Sequence, residues 1–500
     1  MEKTLPELMA EISPEDWAQV PVSVLNLIEE LVRRMDRLEQ EVTALRAENE
    51  SLKEQRAKTS ANSSLPPSKN PQDFKPNRQE PTGKKRGGQV GHQGHQRKLY
   101  PLEMCQEVIL HYPKQCSKCG VEVNSSSSSS QPYRHQVVDI PPIQLIVTEH
   151  QFHRVLCSCC GQENQAPEMA KIVGEGGYSP TVAAYIGLLS SEYRQSYRQV
   201  QKMMEAVFGI EMSVGTINHL RIEVSEAVSN AVTEAMSYVQ QQPSLGADET
   251  GFKQGNGDGQ NAAKSSGWLW VVVTPLIVCF QVILSRSSEA AKAVLGEAFS
   301  GFVTSDRCPA YSWVDTGRRQ ICWAHLKRDF IQISERSGVS AEIGTDLLEQ
   351  EKQIFNLWYQ FRNGQITRPE LGRRIEPIRV EILSILIGAD EIQLDKKDNS
   401  PLAKTVRTCR KLLKLESALW LFVREEGVEP TNNAAERAIR AAVIWRRTSF
   451  GSDSVAGSKF VSRLLTVVSS INLQERNILD FLAASVSAAR SGGIPPSLLP

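Results

Sequence analysis

Apolar positions in the first sixty residues recur at alternating intervals of four and three: Val24, Ile28, Leu31, Met35, Leu38, Val42, Leu45, then Asn49 and Leu52. A period of 3.5 residues keeps one stripe of a helix facing a partner helix, which is the geometry of a coiled coil. β-branched residues at two a positions, leucine at most d positions and one Asn at a favour two parallel strands whose register the Asn sets. Homodimerisation through this helix is the expectation. Residues 58–98, beginning "TSANSSLPPSKNPQD", then lose the pattern and carry too few apolar residues to pack a core, so they read as a linker.

Helical periodicity returns over residues 176–240, where a helix, a turn near Gly209 and a second helix capped near Ser213 have helix-turn-helix proportions. Only His219 and Arg221 are evident as basic residues on the second helix. The pattern next changes to short apolar runs. "SLGADETGF" predicts a strand ending at Asp248, "GWLWVVVTP" and "LIVCFQVILS" predict a hairpin turning at Thr274-Pro275, and "SSEAAKAVLGEAF" predicts a helix. "GFVTSDRC" predicts a strand ending at Asp306, and "RRQICWAH" another strand. From about Phe330 to Arg424 the chain reads as helical, and after Glu429-Pro430 comes a final helix, "EPTNNAAERAIRAA", that carries Glu436.

These readings predict a multidomain α+β chain. Its segments are a coiled-coil helix (1–57), a basic linker (58–100), a zinc-binding domain (101–175) and a helix-turn-helix-like domain (176–240). A catalytic domain follows in two parts (241–330 and 426–485) around a helical insertion (331–425), with a tail (486–500). The longest apolar run, "WLWVVVTPLIVCF", is shorter than the ~20 residues that span a bilayer and is broken by Pro275, so no membrane span is expected and the protein reads as cytoplasmic.

The net charge of zero conceals an asymmetry. Residues 1–52 hold 12 Asp/Glu against 5 Lys/Arg, and residues 53–98 hold 11 Lys/Arg against 3 Asp/Glu. The basic arm, with Lys84, Lys85 and Arg86 at its centre, suits a phosphate backbone as well as it suits solvent. A transcription regulator of the basic-zipper type fits poorly, because there the basic region is a continuous helix before the zipper, and here it follows and is broken by prolines.

Ten cysteines in 500 residues do not make a disulfide framework. Cys116 and Cys119 in "CSKCG", with Cys157 and Cys160 in "CSCCG", are spaced as four thiolates for a structural zinc, although Cys159 competes for a place. Separately, Asp248 and Asp306 end strands that lie side by side if the sheet is open, and Glu436 completes a carboxylate set if the last helix packs on it. Two Mg²⁺ ions, with Mn²⁺ as an alternative, need such oxygen ligands to cleave a phosphodiester. Around Glu436, Asn432 and Asn433 are placed to cap or orient, Arg437 and Arg440 to hold the glutamate or a DNA phosphate, and Arg446 and Arg447 to contact DNA. A surface ion pair between Glu436 and Arg440 is the bland alternative. Glu249, Glu425, Glu426 and Glu429 are rival ligands. Cys322 and His325 read as a buried thiol and a His at the edge of the site rather than a second metal centre.

"LGADETGF", "TSDRCPAYSWV" with "QICWAHLKRDF", and "EPTNNAAERAIRAAVIWRRTSFGS" resemble the three blocks of the insertion-sequence-66 family of transposases. The zipper start, "NSSLPPSKN", "RGGQVGHQGH" and the paired CxxC region extend that resemblance over nearly the whole chain. It implies an RNase H-like catalytic domain of the DDE type, with Asp248, Asp306 and Glu436 as the acids. Terminal inverted repeats and target DNA are the implied substrates, accessory proteins of the same element the implied partners, and the bacterial nucleoid the implied setting. A nuclease or resolvase without strand transfer, or an inactive DNA-binding copy, is the alternative. Two positions depart from the family pattern: Gly246, where a His often stands, and Thr431, where an Asp often stands.

Overall fold

The computed structural model describes residues 13, 19–63, 70–71, 74, 97–123, 131–165, 176–395 and 397–500. Lys84, Lys85 and Arg86, and most of the expected linker, lie outside these residues. Two compact units emerge: Met1–Phe74, Phe152–Lys202 and Glu211–Pro500 form the larger, Lys75–Gln151 and Met203–Ile210 the smaller.

Helix α1 (Val22–Arg56) opens the larger unit. Its stripe lies on the surface of the single chain, with Leu31, Met35, Leu38, Val42, Leu45 and Leu52 all exposed. Strands β1 (Arg154–Leu156) and β2 (Glu163–Gln165) form an antiparallel hairpin. Helices α2 (Pro180–Ser191), α3 (Tyr197–Phe208), α4 (Val214–Ala227) and α5 (Ser229–Val239) follow. The Arg221 guanidinium of α4 lies 4.4 Å from the ring centre of Tyr197 and 4.0 Å from that of Phe460, so it packs inward instead of presenting charge to DNA.

The central sheet has the order β5-β4-β3-β6-β7. β3 (Ser244–Gly251), β4 (Trp268–Val273) and β5 (Val278–Ile283) pair antiparallel, whereas β3, β6 (Phe302–Ser305) and β7 (Arg319–Ile321) pair parallel. "LWVVV" of β4 is buried at every position, as a strand covered on both faces must be. Helix α6 (Ser288–Leu295) makes the crossover from β5 to β6, with Ser287 accepting from the Ala290 N–H at its start. "RRQICWAH" divides differently from the expected strand: β7 stops at Ile321, and α7 (Trp323–Ser334) begins directly after Cys322.

The insertion is α8 (Val339–Arg362), α9 (Arg368–Asp390) and α10 (Pro401–Leu413), and its core gathers Trp323, Trp358, Trp420 and Phe422. Helix α11 (Asn433–Ser449) then lies across β3 and β4. Helix α12 (Val455–Leu473) packs along the edge strand β5 through three buried hydroxyls. Ser462, Thr466 and Ser470 accept the backbone N–H groups of Val282, Phe280 and Val278 at 3.1, 2.9 and 3.1 Å. Four residues of helix advance about 6 Å and two of strand about 6.6 Å, so the two periods match. The last helix, α13 (Ile478–Ser491), runs across the expected boundary at 485 and packs on α2; its Arg490 pairs with Glu223 at 2.7 Å.

In the smaller unit, the described residues of Lys75–Gln151 carry a 3-10 turn at Leu102–Met104 and no α-helix, while Met203–Ile210 contributes the end of α3. Gln136 holds Tyr100 by two backbone hydrogen bonds, of 2.8 and 2.9 Å.

Candidate active site and zinc knuckles

The parallel pairing of β3 with β6 places Ser244 opposite Phe302, Leu245 opposite Val303 and Gly246 opposite Thr304, a constant offset of 58 residues. Asp248 and Asp306 share that offset; Asp248 stands inside β3, which runs on to Gly251 in its pairing with β4 and does not end at Asp248 as expected, whereas Asp306 directly follows β6. Asp306 then turns, its Oδ1 accepting the Cys308 N–H at 2.8 Å. Glu436 arrives from the other side, on the first turn of α11. The start of that helix is fixed to the sheet by Asn432, which is buried and donates from Nδ2 to the Ala247 carbonyl at 2.7 Å while its N–H meets the Cys322 sulfur at 3.2 Å. Asn432 occupies the N-cap position without capping through its side chain, and Asn433 is exposed.

Gly246 acquires a reason here. A Cβ built on it would come within 2.8 Å of the Asn432 Oδ1, so a side chain would lift the helix from the strand. Gly246, one of the two positions that depart from the family pattern, thus lies where helix and sheet approach closely.

Burial, then the charges of Glu249 and Asp306, push the Asp248 carboxyl up to about 8; Glu436 adds to the same effect. The structure therefore brings Asp248 within electrostatic reach of both other acids, although the three do not converge as a set within 4.8 Å. Glu436 is instead 3.5 Å from the His325 Nδ1 and 3.6 Å from the Arg328 guanidinium, and among the described residues it makes no ion pair with Arg440. Arg437 and Arg440 are exposed on the outer side of α11. Cys322, His325 and Glu436 offer ligand atoms within 4.8 Å of one another. Three buried polar atoms here have no hydrogen-bond partner: Glu436 Oε1, His325 Nδ1 and Asn432 Oδ1. A buried carboxylate oxygen left unsatisfied is what a cation ligand looks like without its cation.

Among the rival acids Glu249 stays close to the site: Glu249, Asp306 and Cys308 offer ligand atoms within 4.8 Å of one another. Glu249 points to the opposite face of β3 from Asp248, where Arg286 donates to its Oε1 at 2.9 and 2.7 Å and the Tyr311 hydroxyl to its Oε2 at 2.7 Å. Both its oxygens are engaged. Glu426 and Glu429 are exposed and Glu425 half-buried, and none of the three belongs to a cluster able to hold a metal. Arg446 is half-buried and donates to the Thr250 hydroxyl at 2.8 Å and to the Gly251 carbonyl, which ties α11 to the end of β3; Arg447 is exposed. Sequence reasoning missed Arg286 and Tyr311. The spacing of Tyr311, five residues beyond Asp306 in the same block, was the available signal for one; nothing marked the other.

The family model described as "Transposase IS66 family" matches residues 175–459, the stretch that contains all three acids. The chain belongs to that family. It is accordingly a DNA transposase of an insertion sequence. Two similar curated proteins come from Sinorhizobium fredii (strain NBRC 101917 / NGR234). One, y4jD, is 21% identical over 379 residues, covering 71% of this chain and 72% of its own. The other, y4qI, is 25% identical over 359 residues, covering 66% and 62%. Both carry the name "Uncharacterized protein".

A second model, "zinc-finger binding domain of transposase IS66", matches residues 113–161 and so takes in both CxxC pairs of this IS66 transposase. In each pair the chain folds into the same knuckle. The Cys116 N–H donates to the Val121 carbonyl at 2.8 Å and Gly120, at φ 73°, closes back on the Cys116 carbonyl at 3.0 Å. Cys157, Gln162 and Gly161, at φ 75°, repeat the arrangement at 2.8 and 2.9 Å. The turn requires the left-handed region that glycine enters without cost. Backbone N–H groups aimed at sulfur hold the first thiol of each knuckle below its ordinary value: those of Lys118 and Cys119 for Cys116, and those of Cys160 and Cys159 for Cys157. In the second knuckle the side chain that meets the Cys157 sulfur is Cys160, which favours that pair over Cys159. Thiolates so prepared suit a structural zinc.

Proposed function

We propose that this IS66 transposase cleaves the ends of its element and joins them to target DNA at a site formed by Asp248, Asp306 and Glu436 on an RNase H-like sheet. The observation that carries the reading is the shared 58-residue offset of the two aspartates in the β3–β6 pairing, with Glu436 brought to the same place by the Asn432–Ala247 bond. The unpartnered Glu436 oxygen and the crowding that keeps Asp248 protonated fit the residues of a divalent-cation site, since a bound cation would relieve both. Two Mg²⁺ ions there would stabilise charge on the scissile phosphate and lower the pKa of an attacking water or 3′-hydroxyl.

The chain's own groups do the rest. Asn432 positions Glu436, and Arg286 with Tyr311 engages both oxygens of Glu249, so that in this reading Glu249, although within 4.8 Å of Asp306, biases Asp248 by its charge and leaves the metal to the other acids. Arg328 and His325 flank the glutamate. Arg437, Arg440 and Arg447 share one exposed side of α11 and face the phosphate backbone in this reading. The two knuckles each supply a thiolate pair for the zinc of the finger domain. The heptad seam of α1 joins two protomers and so two element ends, and the basic arm adds phosphate contacts; accessory proteins of the element complete the assembly.

The deciding experiment is transposition from a plasmid carrying the complete element, comparing the native protein with Glu436→Gln and Glu429→Gln at equal expression. Loss with Glu436→Gln alone is expected. Loss with Glu429→Gln alone would move the third ligand and overturn the assignment.

A further inference from the structure

A cavity of the sheet-bearing unit lies beside the acids, not over them. It encloses about 940 Å³ between the β3–β4 connection and the end of α11. Its charged lining residues are all cations: Lys253, Lys264, Arg446 and Arg447. On its rim Phe450 ends α11 in the left-handed conformation, at φ 60°, and is 83% exposed. Gln254 lines it as well. That residue is buried at 7% exposure, its Oε1 accepts the Ser458 hydroxyl at 2.6 Å, and its Nε2 has no acceptor.

The cavity walls are bound together. Ser452 donates its N–H to the Lys253 carbonyl at 3.0 Å and Gly255 to the Ser452 carbonyl at 2.8 Å. A Cβ on Gly451 would lie 2.1 Å from the Lys253 carbonyl oxygen, so the two segments can be joined this closely only through glycine. A strongly cationic concavity with an exposed aromatic ring is poorly suited to an apolar ligand or a cation. It is suited to a base that stacks and a phosphate that pairs.

Its place relative to the acids identifies the occupant. Gly251, three residues beyond Asp248 on β3, lines the cavity, a separation of about 10 Å along a strand. Arg446, ten residues beyond Glu436 on α11, lines it too, about 15 Å along a helix. Both ligand-bearing elements therefore lead from the acids to this cavity, over a distance that DNA covers in about two to four nucleotides. We propose that the cavity receives one unpaired nucleotide of the element's end, its base stacked on Phe450 and its phosphate held by Lys253, Lys264 and Arg447. The inference rests on the transposase reading and adds to it a nucleotide drawn out of the duplex next to the cut.

The test uses the full-length protein and duplexes of the element's own end, with 2-aminopurine replacing one base at a time on either side of the cleavage point, and Ca²⁺ as the added ion. The fluorescence of this base rises when it leaves the stack. A rise is expected at one position, about two to four nucleotides from the scissile phosphate. Phe450→Asn, which keeps a residue tolerant of the left-handed conformation, should abolish the rise and weaken binding by about 5- to 150-fold, the range lost with one stacked base. Asp248→Asn should retain the rise. No rise at any position, or an equal rise with Phe450→Asn, overturns the proposal, as does saturation of the cavity by a free deoxynucleoside monophosphate in place of the duplex. Cleavage of the same duplexes in Mg²⁺ is read separately. If Asp248→Asn cleaves as the native protein does, the metal-site reading fails whatever the fluorescence shows.

Discussion

At the scale of single residues, Asp248 sets the pH behaviour of the site. Its folded-state pKa, about 8, lies above the ~4 of an unfolded aspartate, so the folded chain holds a proton that the unfolded chain releases. In the presence of a chelator, stability should therefore fall as pH rises from about 4 to about 8 and level off beyond. Asp248→Asn should flatten that slope and raise the melting temperature near pH 8, by about 2–4 °C for each kcal/mol relieved, while abolishing Mg²⁺-dependent cleavage; thermal unfolding across pH with and without Mg²⁺ checks both. Tyr311→Phe removes the only donor to the Glu249 Oε2 among the described residues and should cost about 1–3 kcal/mol in denaturant unfolding. The two aspartates stood out in the sequence as carboxylates among short apolar runs, although Asp248 lies inside β3 and not at its end. The place of Glu249 beside Asp306 and Cys308 was not legible there, since it depends on the turn that Asp306 makes after β6. The enclosure of Arg221 was not legible either, because the two aromatic rings that flank it come from other helices.

At the scale of elements, hydroxyls on α12 do what a further strand would otherwise do for β5. Each of the three takes one strand N–H, and Ser462 and Thr466 also donate to the carbonyls of Ser458 and Ser462 in their own helix, at 2.9 and 2.8 Å. Thr466→Val preserves shape and removes the acceptor, leaving the buried Phe280 N–H unpaired. A loss of about 1–3 kcal/mol and faster hydrogen exchange at Phe280 are expected, and Thr466→Ser should restore both. Strands and helices were readable from their periods, apart from the boundary at Cys322, where a strand and a helix meet without a glycine or proline to mark it. The hydroxyl pairing was not readable, because Ser and Thr four apart on a helix resemble any weakly polar positions until the strand is beside them.

At the scale of the whole molecule, the exposed stripe of α1 is the feature without a counterpart in one chain. Replacing Leu31 and Leu38 together by Glu should convert a dimer to a monomer in light scattering, with loss of helical circular dichroism, because a 35-residue helix with its apolar seam in water has lost its principal stabilising contact. Cleavage of one isolated end should suffer less than the joining of two. The helix and its exposed apolar stripe were legible from residue spacing alone; the pairing of two such helices is the proposal that this variant tests. The helices after residue 176, apart from the end of α3 at Met203–Phe208, and the last helix belong to the unit of the sheet, although their sequence patterns would suit free-standing modules.

The matched periods of α12 and β5 have a mechanical consequence. Helix and strand engage as a rack with three teeth, spaced about 6 Å apart, and a rack does not slide by fractions of a tooth. Helix α12 can hold its place on the sheet or release all three teeth together, and gradual creep between them is denied.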